Sequence, residues 1–463
     1  MTRVQLTIWL LAAALAALVA CVVPEAVRTI PEGQLYFPTG ILYAPGETED
    51  GGFLFVASSN FDRRYTRGRL TGIDLGGLSC AAAVAGACLP DFPAPAAAAI
   101  DIPGLGKIDE KGLASLAGEM DGIPMPDGGP FRILVPSRAE GSLLQVVDTT
   151  RERMACQGEG ASTDCSVGAI SLEANRLTPT GLPRAPSPFS VSISRADGEA
   201  YVTSLQPADS PVASNTNLHS FVVKLDALAP APAVTDESFI SLLTSVPTNS
   251  VVLGQRYAYV SGQQGLALRL IDRRTGKLFN ALVESNFNQM DTRGVALSPD
   301  PDESTLYLVS RRPDALLVLS NHKALSDTPL LSMSHAELLP LGASQVRTIA
   351  RRSGGHLALV TCVGTQSYDA VGSAMGSLLI WDEAAGRFVA ELGGFGFQPY
   401  GLAVQPIGRG ARLYVGLFGE GRIAVVDLPD LERPEDIRLV ARLGTSNVCV
   451  VNPSASGCTG TSP

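Results

Sequence analysis

The 463 residues include 47 glycines and 32 prolines, a turn-dense composition that argues against a mainly helical protein. A net charge of −10 makes nucleic acid and other polyanions poor partners. The length allows one large all-β domain or two to three ordinary ones.

From the N-terminus, Arg3 is followed by an apolar run over residues 4–19 and then by Leu18-Val19-Ala20-Cys21. The run is slightly short of the about 20 apolar residues that a spanning helix needs, and it fits the apolar part of a signal peptide. Small residues before a cysteine at this place resemble the lipobox of bacterial lipoproteins. The resemblance implies that the signal is cut before Cys21, that its thiol is diacylated and that the new amine is acylated as well. Residues 1–20 are then a lipoprotein signal peptide and residues 21–36 a lipidated tether. Two or three acyl chains hold a protein on a bilayer far better than one. Val22 stands where Asp favours inner-membrane retention in enteric lipoproteins, which implies the outer membrane. The expected location is therefore the cell envelope, with the membrane as a partner through the lipid.

Past the tether, two short patterns alternate. The first is an apolar strand ending at Val56, Val135, Val202, Val260, Leu308, Val360 and Val415, at intervals of 48 to 79 residues. The second comes after each of these and ends at Asp74, Asp148, Asp226, Asp272, Ser320, Asp382 and Asp427. Another strand precedes the first pattern in most units, as in the stretches around Gly40, Ser190, Gly294 and Gly401, and some units show a fourth. Short strands between Gly-, Pro- and Asp-rich turns cannot bury both faces of a lone sheet, but radial stacking covers them. The prediction is an all-β, seven-bladed β-propeller of four-stranded blades over residues 37–445. A C-terminal tail completes the chain over residues 446–463.

The hairpin at Ser298-Pro299-Asp300, the strand at Leu413-Tyr414-Val415 and the strand at Val425-Val426-Asp427-Leu428 carry a resemblance to the YVTN/lactonase-like (YncE-like) propellers. That resemblance speaks for fold. Its members include enzymes, binders and scaffolds, so it does not choose a function.

Eight cysteines fit an oxidising compartment. Cys21 takes the lipid. Cys80 with Cys88, Cys156 with Cys165, and Cys449 with Cys458 are close enough in sequence for small disulfide loops. Cys362 lies in an apolar run and reads as a buried strand thiol. No C-x-x-C spacing occurs, and His219, His322, His335 and His356 show no i, i+4 pair, so no metal site and no cofactor are expected. The recurring Asp residues read as turn caps, because they repeat blade by blade. Asp300, Asp302 and Glu303 offer oxygens for Ca²⁺ but lack the EF-hand pattern, and a solvated hairpin is the simpler reading.

By the family resemblance, ligands bind at the channel mouth, on loops entering the innermost strands. Aligning the units places Thr39, Phe189, Asn249, Arg293, Arg347 and Tyr400 there, with Glu119 or Asp121 in the second unit. Arg293, Arg347 and Tyr400 would suit a small carboxylate or phosphate ligand. Alternatively each arginine pairs with a local acid such as Asp291. No catalytic residue stands out. The expected function is binding or scaffolding for an envelope protein or polymer, with the loops near residues 79–128, 204–218 and 364–377 as contact surfaces. The rival is a lactonase-like hydrolase using Glu119 or Asp121 with Arg293.

Overall fold

A computed structural model describes residues 28–46, 51–76, 100–102, 107–139, 141–150, 153–158, 163–172, 187–205, 220–242, 246–262, 268–280, 290–339, 342–364 and 375–447. They form seven antiparallel blades arranged as a propeller. The inner strands are Pro38–Pro45, Asp121–Pro124, Pro188–Ile193, Thr248–Leu253, Thr292–Leu297, Ala343–Ala350 and Pro399–Ile407. Each packs against its neighbours, and the seventh closes on the first. Helix among the described residues is limited to short turns such as Pro126–Gly128 and Pro434–Asp436.

The two sequence patterns are the second and third strands of each blade. The aromatic residue of the first pattern drives packing between blades. Phe55, Tyr201, Tyr259, Tyr307 and Tyr414 are all buried, and such a ring removes about 150–250 Å² from water. The tyrosine hydroxyls need partners inside the core. Tyr414 donates to Gln405 (2.7 Å), Tyr259 accepts from Asn321 (2.8 Å), and Tyr307 lies 2.6 Å from His356 Nε2.

The repeated Asp residues are structural in two ways. Asp74, Asp226, Asp272 and Asp382 accept backbone amides of the next turn, at 2.8 to 2.9 Å. Asp148 and Asp427 accept instead from an arginine on the paired strand, Arg132 and Arg412, each at 2.7 Å.

Cys156 and Cys165 are disulfide-bonded, and Cys362 is a buried free thiol. Burial pushes the Cys362 thiol up to about 12, which leaves it unreactive. Cys21, Cys80, Cys88, Cys449 and Cys458 lie outside the described residues, as do residues 1–20.

The stretch near residues 79–128 is not all loop. Lys107–Leu113 is the fourth strand of blade 1, and Asp121–Pro124 is the inner strand of blade 2. Ile100–Ile102 crosses to blade 7 and pairs in parallel with its outer strand, Arg438–Leu443. Blade 1 thereby clasps blade 7 and fastens the ring. Each blade is otherwise built from its own consecutive stretch of chain.

Candidate functional site at the propeller mouth

Six of the seven inner strands begin with a register shift one to three residues in. Such a bulge twists the strand and re-aims the side chain within it. The residues so placed are Thr39, Phe189, Asn249, Arg293, Ser344 and Tyr400. Arg347 is not among them. Strand six starts at Ala343, after a turn at Gly342 (φ +81°), so Arg347 is its fifth residue and stands three positions further down than Arg293 does in its strand. The expected trio is thus split between two levels of the channel.

At the upper level the Arg293 guanidinium donates to Asn249 Oδ1 (3.1 Å) and to Asp291 Oδ2 (2.9 Å). The local acid considered as the alternative partner is therefore present. Two further arginines join it. Arg138, in the loop after the second strand of blade 2, lies over the Phe189 ring at 5.6 Å. Arg311, at the end of the second strand of blade 5, donates from Nε to the Ala343 carbonyl (3.0 Å). Neither has a carboxylate within ion-pair distance among the described residues, and Arg138 Nε is buried with no hydrogen-bond partner. Burial lowers the pKa of both guanidiniums and the positive charge of Arg293 adds to that, against the opposing pull of Tyr400 and, at Arg311, of Asp291 and Asp314. Tyr400 faces the same group. Burial and the charge of Glu119 push its phenol up to about 12, against the opposing pull of Arg311, Arg293 and Arg138.

Glu119 is buried beneath this cluster, where its carboxylate accepts the Ser250 hydroxyl (2.9 Å). Below it a cavity of about 350 Å³ is lined by all seven inner strands, among them Ser190, Ser192, Val295, Arg347 and Ala403. Asp121 is in that wall and is engaged by Arg195 (2.7 Å) and the Ile193 amide (2.8 Å). Among the described residues Arg347 donates only to the carbonyl of Val346 (3.0 Å).

The pieces of the mouth that sequence reasoning passed over obey a simple rule. Arg138 and Arg311 each stand three residues after the last residue of the first pattern, Val135 and Leu308, and so does Phe418 after Val415. Phe418 starts an aromatic chain that leaves the mouth. Its ring lies 6.2 Å from Tyr400, 4.7 Å from Phe37 and 5.5 Å from Phe61, and Tyr36 and Tyr65 extend the run.

Two further sets of polar groups, apart from the mouth, are committed to structural contacts. His356 is buried beside Tyr307, and burial lowers its pKa. Asp300 uses its oxygens on the amides of Asp302 and Ser304 within its own hairpin. Among the described residues no group of three or more His, Cys, Asp or Glu side chains is placed to hold a metal ion.

The architecture and this mouth define the class of protein, a seven-bladed β-propeller with an arginine-rich channel opening. No family model and no curated protein matches the chain. Solved structures do. The β-propeller domain of Cps50 (Swd1) from Myceliophteria thermophila is 11% identical at a TM-score of 0.50, over 85% of this chain and 99% of that one. A periplasmic gluconolactonase of Pseudomonas aeruginosa is 15% identical at a TM-score of 0.47, over 87% and 88%. Hydrazine synthase of Kuenenia stuttgartiensis is 16% identical at 0.47, over 71% and 87%. The likeness to the first concerns the fold alone.

Proposed function

We propose that the chain is a cell-envelope lipoprotein, anchored through Cys21 in the outer membrane. Its propeller is a non-enzymatic binding module for an envelope protein or polymer that presents a carboxylate or phosphate to the mouth. One observation carries the binding reading. Arg138 and Arg311 are drawn into a half-buried mouth with no carboxylate at ion-pair distance among the described residues, and only Asp291 and Asp314, further off, oppose the charge of Arg311. A charge held out of water without a partner is costly, and an anionic group arriving between them offsets that cost. Guanidinium forks suit both carboxylate and phosphate.

The test uses a dicarboxylate and a phosphosugar as probes in calorimetric titration of the purified chain. Binding of either probe, lost by at least tenfold in Arg138→Ala/Arg311→Ala, is the expected result. Equal affinity in the variant removes the mouth as the site. Turnover of a sugar lactone by the same preparation would contradict the non-enzymatic reading, and Glu119 would be the first residue to replace. For the anchor, the mass of the purified native chain should show acylation at Cys21, and Cys21→Ser should leave the membrane fraction.

A further inference from the structure

Arg28, the first described residue, stands seven residues after Cys21. It is pinned to the rim of blade 1. Its amide donates to Thr66 Oγ1 (3.1 Å), and its carbonyl accepts from the Thr66 amide (2.8 Å). Arg69 holds the next turn by donating to the carbonyls of Ile30 and Pro31. Thr66 belongs to the loop 59–67 between the second and third strands of blade 1, on the same face as the arginine mouth. A fully extended segment of seven residues reaches at most about 25 Å. A lipid on Cys21 therefore keeps this rim within about 25 Å of the bilayer.

The rim has the chemistry for that place. Phe61 is 43% exposed, while its inner edge rests on Phe37 and Phe418. Arg28 and Arg63 are exposed beside it. Arg64 shares a half-exposed ion pair with Asp62 (3.5 Å), and Arg67, 47% exposed, pairs with Asp164. The chain as a whole is acidic, but its distant carboxylates are screened within about 8–10 Å at ordinary salt. Aromatic rings favour the headgroup level of a membrane, and arginines near an anionic surface are attracted to it.

We infer that this rim of blade 1 docks on anionic phospholipid headgroups, with Phe61 at headgroup depth and Arg28, Arg63 and Arg64 among the phosphates. The blade 1 edge of the mouth face is thereby turned to the membrane, and the opening stays clear beside it. The inference rests on the lipid anchor at Cys21.

The experiment places a reporter on each face of the full acylated chain, reconstituted in phosphatidylglycerol vesicles with brominated acyl chains. Phe61→Trp reports on the rim. Leu330→Trp, at a 49% exposed position in the loop between the third and fourth strands of blade 5, reports on the opposite face. The native Trp381 is buried and contributes a constant background. At least twofold quenching of the Phe61→Trp signal is expected, with none for Leu330→Trp. Equal signals from vesicle-bound chains overturn the docking while leaving the anchor intact. A chain without acyl mass removes the anchor itself. In a second arm, the Cys21→Ser chain should bind phosphatidylglycerol vesicles more tightly than phosphatidylcholine ones, and Arg63→Ala/Arg64→Ala should cost at least tenfold. Indifference to headgroup charge would overturn the inference independently of the anchor.

Discussion

The Asp427 carboxylate and the Arg412 guanidinium are buried together, and removing Asp427 takes two charge-assisted hydrogen bonds from the guanidinium. Breaking such a pair typically costs about 3–5 kcal/mol. Asp226 is exposed and only caps its turn, through the Leu228 amide, so its removal costs about 1 kcal/mol on the scale of other side-chain caps. Chemical denaturation of Asp427→Ala and Asp226→Ala should show that contrast, and equal effects would mean that the ion pair is not what matters at Asp427. These residues are legible as structural because a catalytic carboxylate has no reason to recur in six units. Arg138 and Arg311 are not legible as a pair, because lining up the units on the inner strands marks only the residues that precede those strands. The mouth is also built from the other end of the hairpin, by residues just past the second strand.

At the scale of the element, the inner strands are legible where glycine marks them. Gly40, Gly294 and Gly401 hold equivalent places after the bulge, and a Cβ at each would meet the backbone of a neighbouring blade at 2.7 to 2.9 Å. Their small size sets how closely the blades approach around the channel. Gly294→Ala should therefore destabilise the protein by about 1–3 kcal/mol, as overpacking does. A neutral effect in thermal unfolding would show that the ring has slack there. Blade 1 is harder to read. Its fourth strand, Lys107–Leu113, is a partly exposed, charged strand without apolar alternation, and it arrives only after a long Ala/Pro/Gly-rich stretch. The start of strand six is hidden for a related reason. Gln345 stands where blades 1, 5 and 7 have glycine, so the strand start at Ala343 carries no mark, and aligning on Arg347 shifts the strand by three residues.

For the whole molecule, the ring, the mouth and the point where the chain leaves blade 1 act together. Arginines, the aromatic run from Tyr400 to Phe61, and the tether share one face. The blade count comes from the repeat itself, since stacking is the way such sheets bury both faces. The mouth is not legible, because it depends on side chains brought together from blades 2, 5 and 7. On the binding reading, Arg138 and Arg311 are kept for a ligand and not for the fold. Thermal unfolding of Arg138→Met/Arg311→Met beside the parent chain tests this directly. Without ligand the variant should match or exceed the parent in stability, because two half-buried charges without a direct ion pair are gone. With the dicarboxylate or phosphosugar at 100 times its dissociation constant, the parent alone should gain about 2.7 kcal/mol. A variant that unfolds well below the parent, with no ligand-dependent gain in either, would make the arginines structural and contradict the account.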